Sequence, residues 1–270
     1  MSPVIDYATA GPLTTLPENS ALEPLATTPV EICLLVHQLV IQPLDAQKLD
    51  LPAERFDENQ VRPAEELVRR LLALDPAPLT VAREPEKRVV GTCRHFAVLS
   101  CALLRHRGIE ARVRCGFATY FQPGQGLDHW ITEYRDQGRW VRIDSEILGQ
   151  EVLSHPHDLR PGEFLTGGEA WAAFRRGEVD AARFGVHGTD NWGPAEIQGN
   201  AVRDLAALNK VETLPWDEWG RMTEAYEGRT GADYDEFLDE LAKVCAADEP
   251  EALATLYDHE LLRVPQTLIR

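Results

Sequence analysis

Residues 91–117 read GTCRHFAVLSCALLRHRGIEARVRCGF, and the hydrophobic pattern changes its period once within this stretch. From about Thr92 to His106 the apolar side chains recur at helical spacing, and Gly108 closes that pattern. Over residues 109–115 apolar and charged side chains alternate, as they do in a strand. The stretch therefore predicts a helix that leads directly into a strand, with Cys93 in the first turn of the helix.

A hairpin is predicted further along the chain. Residues 129–134 (HWITEY) and 139–144 (RWVRID) read as strands, and the DQG at 136–138 is typical of the turn between them. Pairing about that turn would bring His129 beside Asp144, because the two positions are near-symmetric about 136.5. A helix followed by an antiparallel meander predicts an α+β fold.

Three side chains from these successive elements have the types that thiol-dependent acyl chemistry requires. The first turn of a helix offers unpaired N–H groups and the positive end of the helix dipole, which would favour a thiolate at Cys93. His129 would then act as the base, and Asp144 would orient its ring. Each residue alone is more often structural, but their order predicts a nucleophile, a base and an orienting acid.

The composition predicts a globular chain with no affinity for nucleic acid. Of the 270 residues 44% are hydrophobic, and the net charge of −17 would repel a phosphate backbone. No apolar run approaches the roughly 18–20 residues of a membrane span, and the N-terminus does not read as a signal peptide. We therefore expect a cytoplasmic protein without a membrane partner. Its oligomeric state stays open.

The chain is predicted to have three segments. Residues 1–28 are rich in proline and read as an extended arm, residues 29–154 as the α+β core, and residues 155–270 as a mainly helical extension. The glycine-rich segment 187–199 is expected to be a connector or a loop over the site.

Neither a metal nor a cofactor is predicted. The five cysteines are odd in number and irregularly spaced, without a Cys-x-x-Cys pair, which favours reduced thiols. Four of them, excepting Cys93, are expected to be buried apolar residues. The histidines at 155 and 157 lack a carboxylate or cysteine at ligand spacing, and no glycine-rich phosphate loop follows a strand.

The stretch from Gly91 to Ile147 resembles the core of the transglutaminase-like superfamily. The resemblance rests on GTCRHFA, ALLRHRGIEARVRCGF, DHW and RWVRID, in that order. It implies a papain-like α+β fold, with Cys93, His129 and Asp144 matching the catalytic cysteine, histidine and aspartate of the family.

Two departures from the family pattern concern the oxyanion. Cross-linking transglutaminases usually carry Trp directly after the cysteine, where this chain has Arg94. They also use the side chain of an upstream Trp or Gln as the second oxyanion donor, and residues 80–92 of this chain contain neither. Arg94, His95 or an N–H from elsewhere could serve as the second oxyanion donor.

Arg94, Trp130 and Glu133 are predicted to bind substrate. Arg94, like Arg142, could bind a substrate carboxylate, although an exposed ion pair is the commoner role of such residues. Glu133 would share the His129 face of its strand, where it could orient substrate or pair with an arginine.

The sequence thus predicts a cysteine enzyme that acts on a small-molecule or peptide amide through a thioester on Cys93. Water would resolve the thioester in an amidase or protease, and an amine would resolve it in an acyltransferase. The alternative is a catalytically inactive member of the family that binds a partner.

Overall fold

The computed structural model describes residues 5–18 and 20–269. The helices are α1 Pro29–His37, α2 Pro43–Ala46, α3 Ala64–Leu74, α4 Cys93–His106, α5 Gly167–Arg175, α6 Pro194–Leu208, α7 Met222–Tyr226, α8 Ala232–Ala247 and α9 Pro250–Tyr257. The strands are β1 Val40–Ile41, β2 Val89–Val90, β3 Ala111–Ala118, β4 Gly126–Asp136, β5 Arg139–Ile143, β6 Phe164–Thr166 and β7 Phe184–Gly185. In this described part, no helix has both the length and the apolar character needed to cross a bilayer.

The main sheet has the strand order β5-β4-β3-β6, and β7 pairs with β4. The pairs β4–β5 and β3–β6 are antiparallel, whereas β7 runs parallel to β4. Strands β1 and β2 form a separate parallel pair. Helices and a mostly antiparallel sheet confirm the predicted α+β class.

The chain divides into two compact units. Among the described residues, the core unit comprises 7–18, 20–113 and 131–159, and the helical unit comprises 5–6, 114–130 and 160–269. The predicted division into an arm, a core and an extension stays a prediction.

Helix α4 lies at the centre of the core unit. Every residue from Cys93 to Arg105 is buried, and α1 and α3 pack against the helix. The hydroxyl of Thr132 on β4 donates to the carbonyl of Ala97, 3.0 Å away, and so ties the helix to the sheet. The residues that begin α4 are therefore held by packing on several sides.

The proline-rich N-terminal segment is pinned to the core unit by backbone hydrogen bonds. The carbonyl of Tyr7 accepts from the N–H of Ala111 at 3.1 Å, and that of Leu13 accepts from Ala64 at 2.8 Å. Leu13 itself is 1% exposed. The segment thus forms neither helix nor strand in its described residues, yet it contributes side chains to the core.

Helix α6 lies at the centre of the helical unit, where α5 and α8 pack against it. All of its residues from Glu196 to Leu208 are buried. The helix begins at Pro194, so the expectation that residues 187–199 form a loop is wrong for their last part. Proline suits the first turn of a helix. Gly199 lies inside the helix, where a Cβ would come within 2.8 Å of the Arg203 guanidinium.

Candidate active site

Cys93 is the first residue of α4, and Thr92, with an extended backbone, is its N-cap. The carbonyl of Thr92 accepts from the N–H groups of His95 and Phe96, at 2.8 and 3.4 Å, so the helix is fully formed from its first turn. The side chain at this position lies near the positive end of the helix dipole, which favours a negative charge. Cys93 is 8% exposed.

The other thiols lie in the interior, as predicted. All five cysteines are free and buried, and Cys33, Cys101 and Cys115 have no exposed surface. Burial raises the pKa of Cys33 to about 12, which leaves it unreactive at neutral pH.

His95 is a structural residue of the helix start. Its Nδ1 accepts from the N–H of Thr92 at 3.0 Å, and its Nε2 lies 3.1 Å from the carbonyl oxygen of Val61, to which it donates. Burial, reinforced by the charge of Arg94, lowers the pKa of His95 to about 3. With both ring nitrogens engaged, His95 is not the second oxyanion donor that the sequence left open.

The neutral, buried His95 makes stability depend on pH. Below about pH 6.5 the unfolded chain binds a proton at His95 that the folded chain does not bind until about pH 3. The free energy of unfolding is therefore expected to fall by about 2 kcal/mol between pH 6.5 and pH 5 through this residue alone. Urea unfolding of wild type and His95→Gln at several pH values would measure it. Equal pH slopes in the two proteins would contradict the prediction.

His129 is 3% exposed and lies against two aromatic rings of the loop after β3. The ring of Phe121 meets the imidazole edge to face at a centroid distance of 5.1 Å, and that of Tyr120 does so at 6.1 Å. These contacts restrict the rotation of the imidazole. Neither aromatic residue was singled out from the sequence.

The structure brings Cys93 and His129 together with an acid that the sequence did not predict. The thiol sulfur of Cys93, one ring nitrogen of His129 and one carboxylate oxygen of Glu146 all lie within 4.8 Å of one another. Glu146 is partly exposed. A thiol, an imidazole and a carboxylate are also ligand types that zinc takes, so the same three atoms could hold a divalent ion.

The register of the β4–β5 hairpin differs from the predicted one. Asp136 pairs with Arg139, so the hairpin is symmetric about 137.5 and not about 136.5. The turn contains only Gln137 and Gly138, with φ angles of +46° and +84°, and two positive φ angles are what the tight two-residue hairpin turn needs. The ladder ends at the pair Thr132–Ile143, so the predicted pairing of position 129 with position 144 is not part of it.

Asp144 and Glu146 share a tight turn that follows β5. The carboxylate of Asp144 accepts from the N–H of Glu146 at 3.0 Å, and Asp144 is 1% exposed. Ser100 on α4 donates to the hydroxyl of Ser145 at 3.0 Å. The carbonyl of Glu146 accepts from His37, whose pKa is lowered mainly by burial. The turn is thus held from α1 and from α4, the helix that Cys93 begins. The role of Asp144 as orienting acid stays a prediction.

The three predicted substrate contacts are all buried. Arg94 is fully buried and donates to the carbonyl of Val61 at 3.3 Å, so the alternative of an exposed ion pair is wrong for it. Glu133 pairs with Arg112 at 2.7 Å and with Arg142 at 3.0 Å, as the sequence allowed. The contact of any of these residues with substrate stays a prediction.

Trp130 is 1% exposed, and its indole N–H has no hydrogen-bond partner within residues 5–18 and 20–269. Buried N–H groups without a partner are uncommon. Its assignment as a substrate contact stays a prediction.

Asp128 precedes His129 on β4 and is bound from α6. The amide of Asn200 donates to its carboxylate at 2.8 Å. Burial raises the pKa of Asp128, while the charge of Arg203, the Asn200 hydrogen bond and His129 act against that rise. Burial thus outweighs the neighbouring residues in setting the pKa of Asp128, although each of those neighbours favours its carboxylate.

Comparison with known proteins finds a family model that covers the residues of this site. A family model described as the transglutaminase-like superfamily matches residues 75–145, which include Cys93, His129 and Asp144. A solved structure from Cytophaga hutchinsonii, titled a "putative cysteine protease", is 15% identical over 58% of this chain, with a TM-score of 0.21. The match spans 51% of that chain, about half its length. No curated protein matches. The family match and the grouping around Cys93 support a papain-like α+β fold and a cysteine-dependent enzyme. Residues 75–145, about a quarter of the chain, are thus similar to the transglutaminase-like superfamily.

Proposed function

We propose that this protein is a cysteine-dependent amide hydrolase or acyltransferase that forms a thioester on Cys93. The observation that carries the proposal is the approach of the Cys93 sulfur to a His129 ring nitrogen, within 4.8 Å. Apo distances in such pairs are often longer than in the substrate complex. The start of α4 adds the helix N-terminus, which stabilises negative charge on the sulfur.

In the proposed reaction His129 takes the thiol proton, and the Cys93 sulfur attacks the carbonyl carbon of the amide. The developing oxyanion would be met by N–H groups of the first turn of α4. His129 then returns the proton to the leaving amine as the C–N bond breaks, which leaves the acyl group on sulfur. Water or a second amine, deprotonated by His129, displaces the thiol and completes the cycle.

The intermediate provides the direct test. Wild type is incubated with a panel of amides and thioesters, quenched in acid and analysed by peptide mass spectrometry, with a labelled amine present in half of the samples. An acyl group on Cys93 is expected, together with either free acid or labelled amide as product. Cys101→Ser, on the same helix but fully buried, is the matched control and should acylate normally.

If iodoacetamide modifies Cys93 no faster than the other four thiols near neutral pH, the catalytic proposal fails. In that case the protein is an inactive member of the family that binds a partner, the alternative drawn from the sequence. Product identity also decides between the two reactions, since labelled amide without hydrolysis would exclude an amidase.

A metal-dependent hydrolase is the second candidate, because the sulfur, the nitrogen and the oxygen at the site are zinc-ligand types at suitable spacing. The two candidates respond oppositely to chelation. A thiol mechanism keeps its rate in 1,10-phenanthroline and loses it to added zinc, whereas a metal mechanism loses its rate to the chelator.

The two acids of the turn are expected to differ in their effect on rate. We infer that Asp144 orients His129, as the family resemblance implies, so Asp144→Asn should lower kcat by about 10²–10⁴-fold. Glu146→Gln keeps the backbone turn and should lower kcat by less than about tenfold. Steady-state kinetics of both variants measure this order. The reverse order would assign the orienting role to Glu146.

A further inference from the structure

Helix α6 carries a polar stripe on one face although the helix is buried. Glu196, Asn200 and Arg203 stand at spacings of four and three residues, which places them on one side of the helix. Their exposed fractions are 2%, 0% and 1%. Buried polar and charged groups cost folding free energy unless they are fully bonded, and apolar residues would pack such a helix as well. The stripe therefore calls for a role beyond packing.

The stripe is one continuous chain of hydrogen bonds. The hydroxyl of Tyr226 on α7 donates to Glu196 at 2.6 Å, and the Arg203 guanidinium lies 3.4 Å from the other oxygen of Glu196. The same guanidinium nitrogen donates to the side-chain oxygen of Asn200 at 3.1 Å. The Asn200 amide then donates to Asp128 at 2.8 Å. The chain thus runs from α7 through α6 to the residue before His129.

Asn200 also holds the neighbouring strand. Its amide nitrogen lies 3.2 Å from the carbonyl oxygen of Gly116 on β3, in addition to Asp128 on β4. The Asn200 side chain is therefore bonded to both β3 and β4, and on β4 its partner is the residue next to His129. Only glycine fits at position 116, because a Cβ there would lie 2.0 Å from the carbonyl oxygen of Leu165 on β6.

We propose that Asn200 and Arg203 are positioning residues for His129, which act through Asp128 by fixing the end of β4 that carries the imidazole. The inference rests on the proposed function, since it gives the network a task in the reaction. The network touches neither substrate nor the reacting atoms. An error of about 1 Å in a catalytic group lowers a rate by as much as about 100-fold, so the position of β4 matters for turnover.

The test compares Asn200→Ala with Asn209→Ala. Asn209 follows α6 and bonds the carbonyls of Leu205 and Leu253, at 2.9 and 3.4 Å, so it is a structural asparagine of the same unit. Asn200→Ala is expected to lower kcat by about tenfold or more with KM little changed. Asn209→Ala should leave kcat within about twofold.

A double-mutant cycle shows whether the link to Asp128 carries the effect. If Asn200 acts through Asp128, the double variant with Asp128→Ala loses no more kcat than the worse single variant. If the kcat loss of the double variant equals the product of the two single losses, the proposal is wrong. Asp128 is partly exposed, so Asp128→Ala also tests the link if Asn200→Ala does not fold.

The ring resonances of His129, assigned with a His129→Gln variant and read at one fixed pH, need no turnover. They are expected to move in Asn200→Ala and Asp128→Ala but not in Asn209→Ala. Unmoved resonances overturn the network even if Cys93 proves catalytic. Moved resonances in a protein without turnover uphold the positioning and reject only the proposed reaction.

Discussion

Cys93→Ala is expected to lower kcat by about 10⁴-fold or more, because the proposed thioester cannot form without the sulfur. The change removes one buried atom at the first position of α4 and leaves the Thr92 cap and the His95 hydrogen bonds in place. We therefore expect the free energy of unfolding to change by no more than about 1 kcal/mol. Single-turnover kinetics and urea unfolding measure the two quantities on the same sample.

Cys101→Ala is the matched control for that result. Cys101 lies two turns further along α4 and has no exposed surface, so its removal should cost stability and leave kcat unchanged. If Cys93→Ala retains a substantial fraction of wild-type kcat, the thioester mechanism is wrong and the metal-assisted alternative gains weight.

Asp204→Ala is expected to destabilise the fold by about 3–5 kcal/mol. Asp204 on α6 is fully buried and holds the Arg114 guanidinium with both oxygens, at 2.9 and 2.7 Å. It also accepts from the N–H of Cys115 at 3.0 Å. The alanine variant leaves a buried guanidinium charge without this carboxylate, which costs more than the ion pair itself contributes.

The pair Arg139–Asp158 is a matched control with the same geometry at the surface. Its two bonds measure 3.0 and 2.6 Å, but the side chains are 58% and 42% exposed. Asp158→Ala should therefore cost less than about 1 kcal/mol. Urea unfolding of both variants gives the comparison, and equal losses would mean that burial does not set the cost of breaking these pairs.

Local pattern was enough to predict the elements that carry the chemistry. Helix α4 and strand β3 were expected at nearly their observed bounds, because the change from helical to alternating periodicity is a property of neighbouring residues. The first-turn position of Cys93 follows from the same pattern. The grouping of Cys93 with His129 was also anticipated, from their order and from the family resemblance.

Local pattern was not enough where long-range contacts decide the outcome. The alternation in β3 marks Arg112 and Arg114 as a polar face, yet both are buried, because Glu133 and Asp204 reach them from elsewhere in the chain. The start of α6 at Pro194 was missed for a similar reason, since the helix is buried from Glu196 onward and α5 and α8, from elsewhere in the chain, pack against it.

The sequence by itself determined the α+β class, the cysteine at a helix start and the histidine on a strand, because these depend on residues close together in the chain. Only the tertiary structure placed a carboxylate oxygen of Glu146 within 4.8 Å of the Cys93 sulfur and a His129 ring nitrogen. The two-residue turn at Gln137 and Gly138 places the centre of the hairpin at 137.5, one position later than predicted. Such a shift changes the cross-strand partner of every strand residue by two positions. The residue pattern did not predict that centre, because turns of two and three residues differ in backbone conformation.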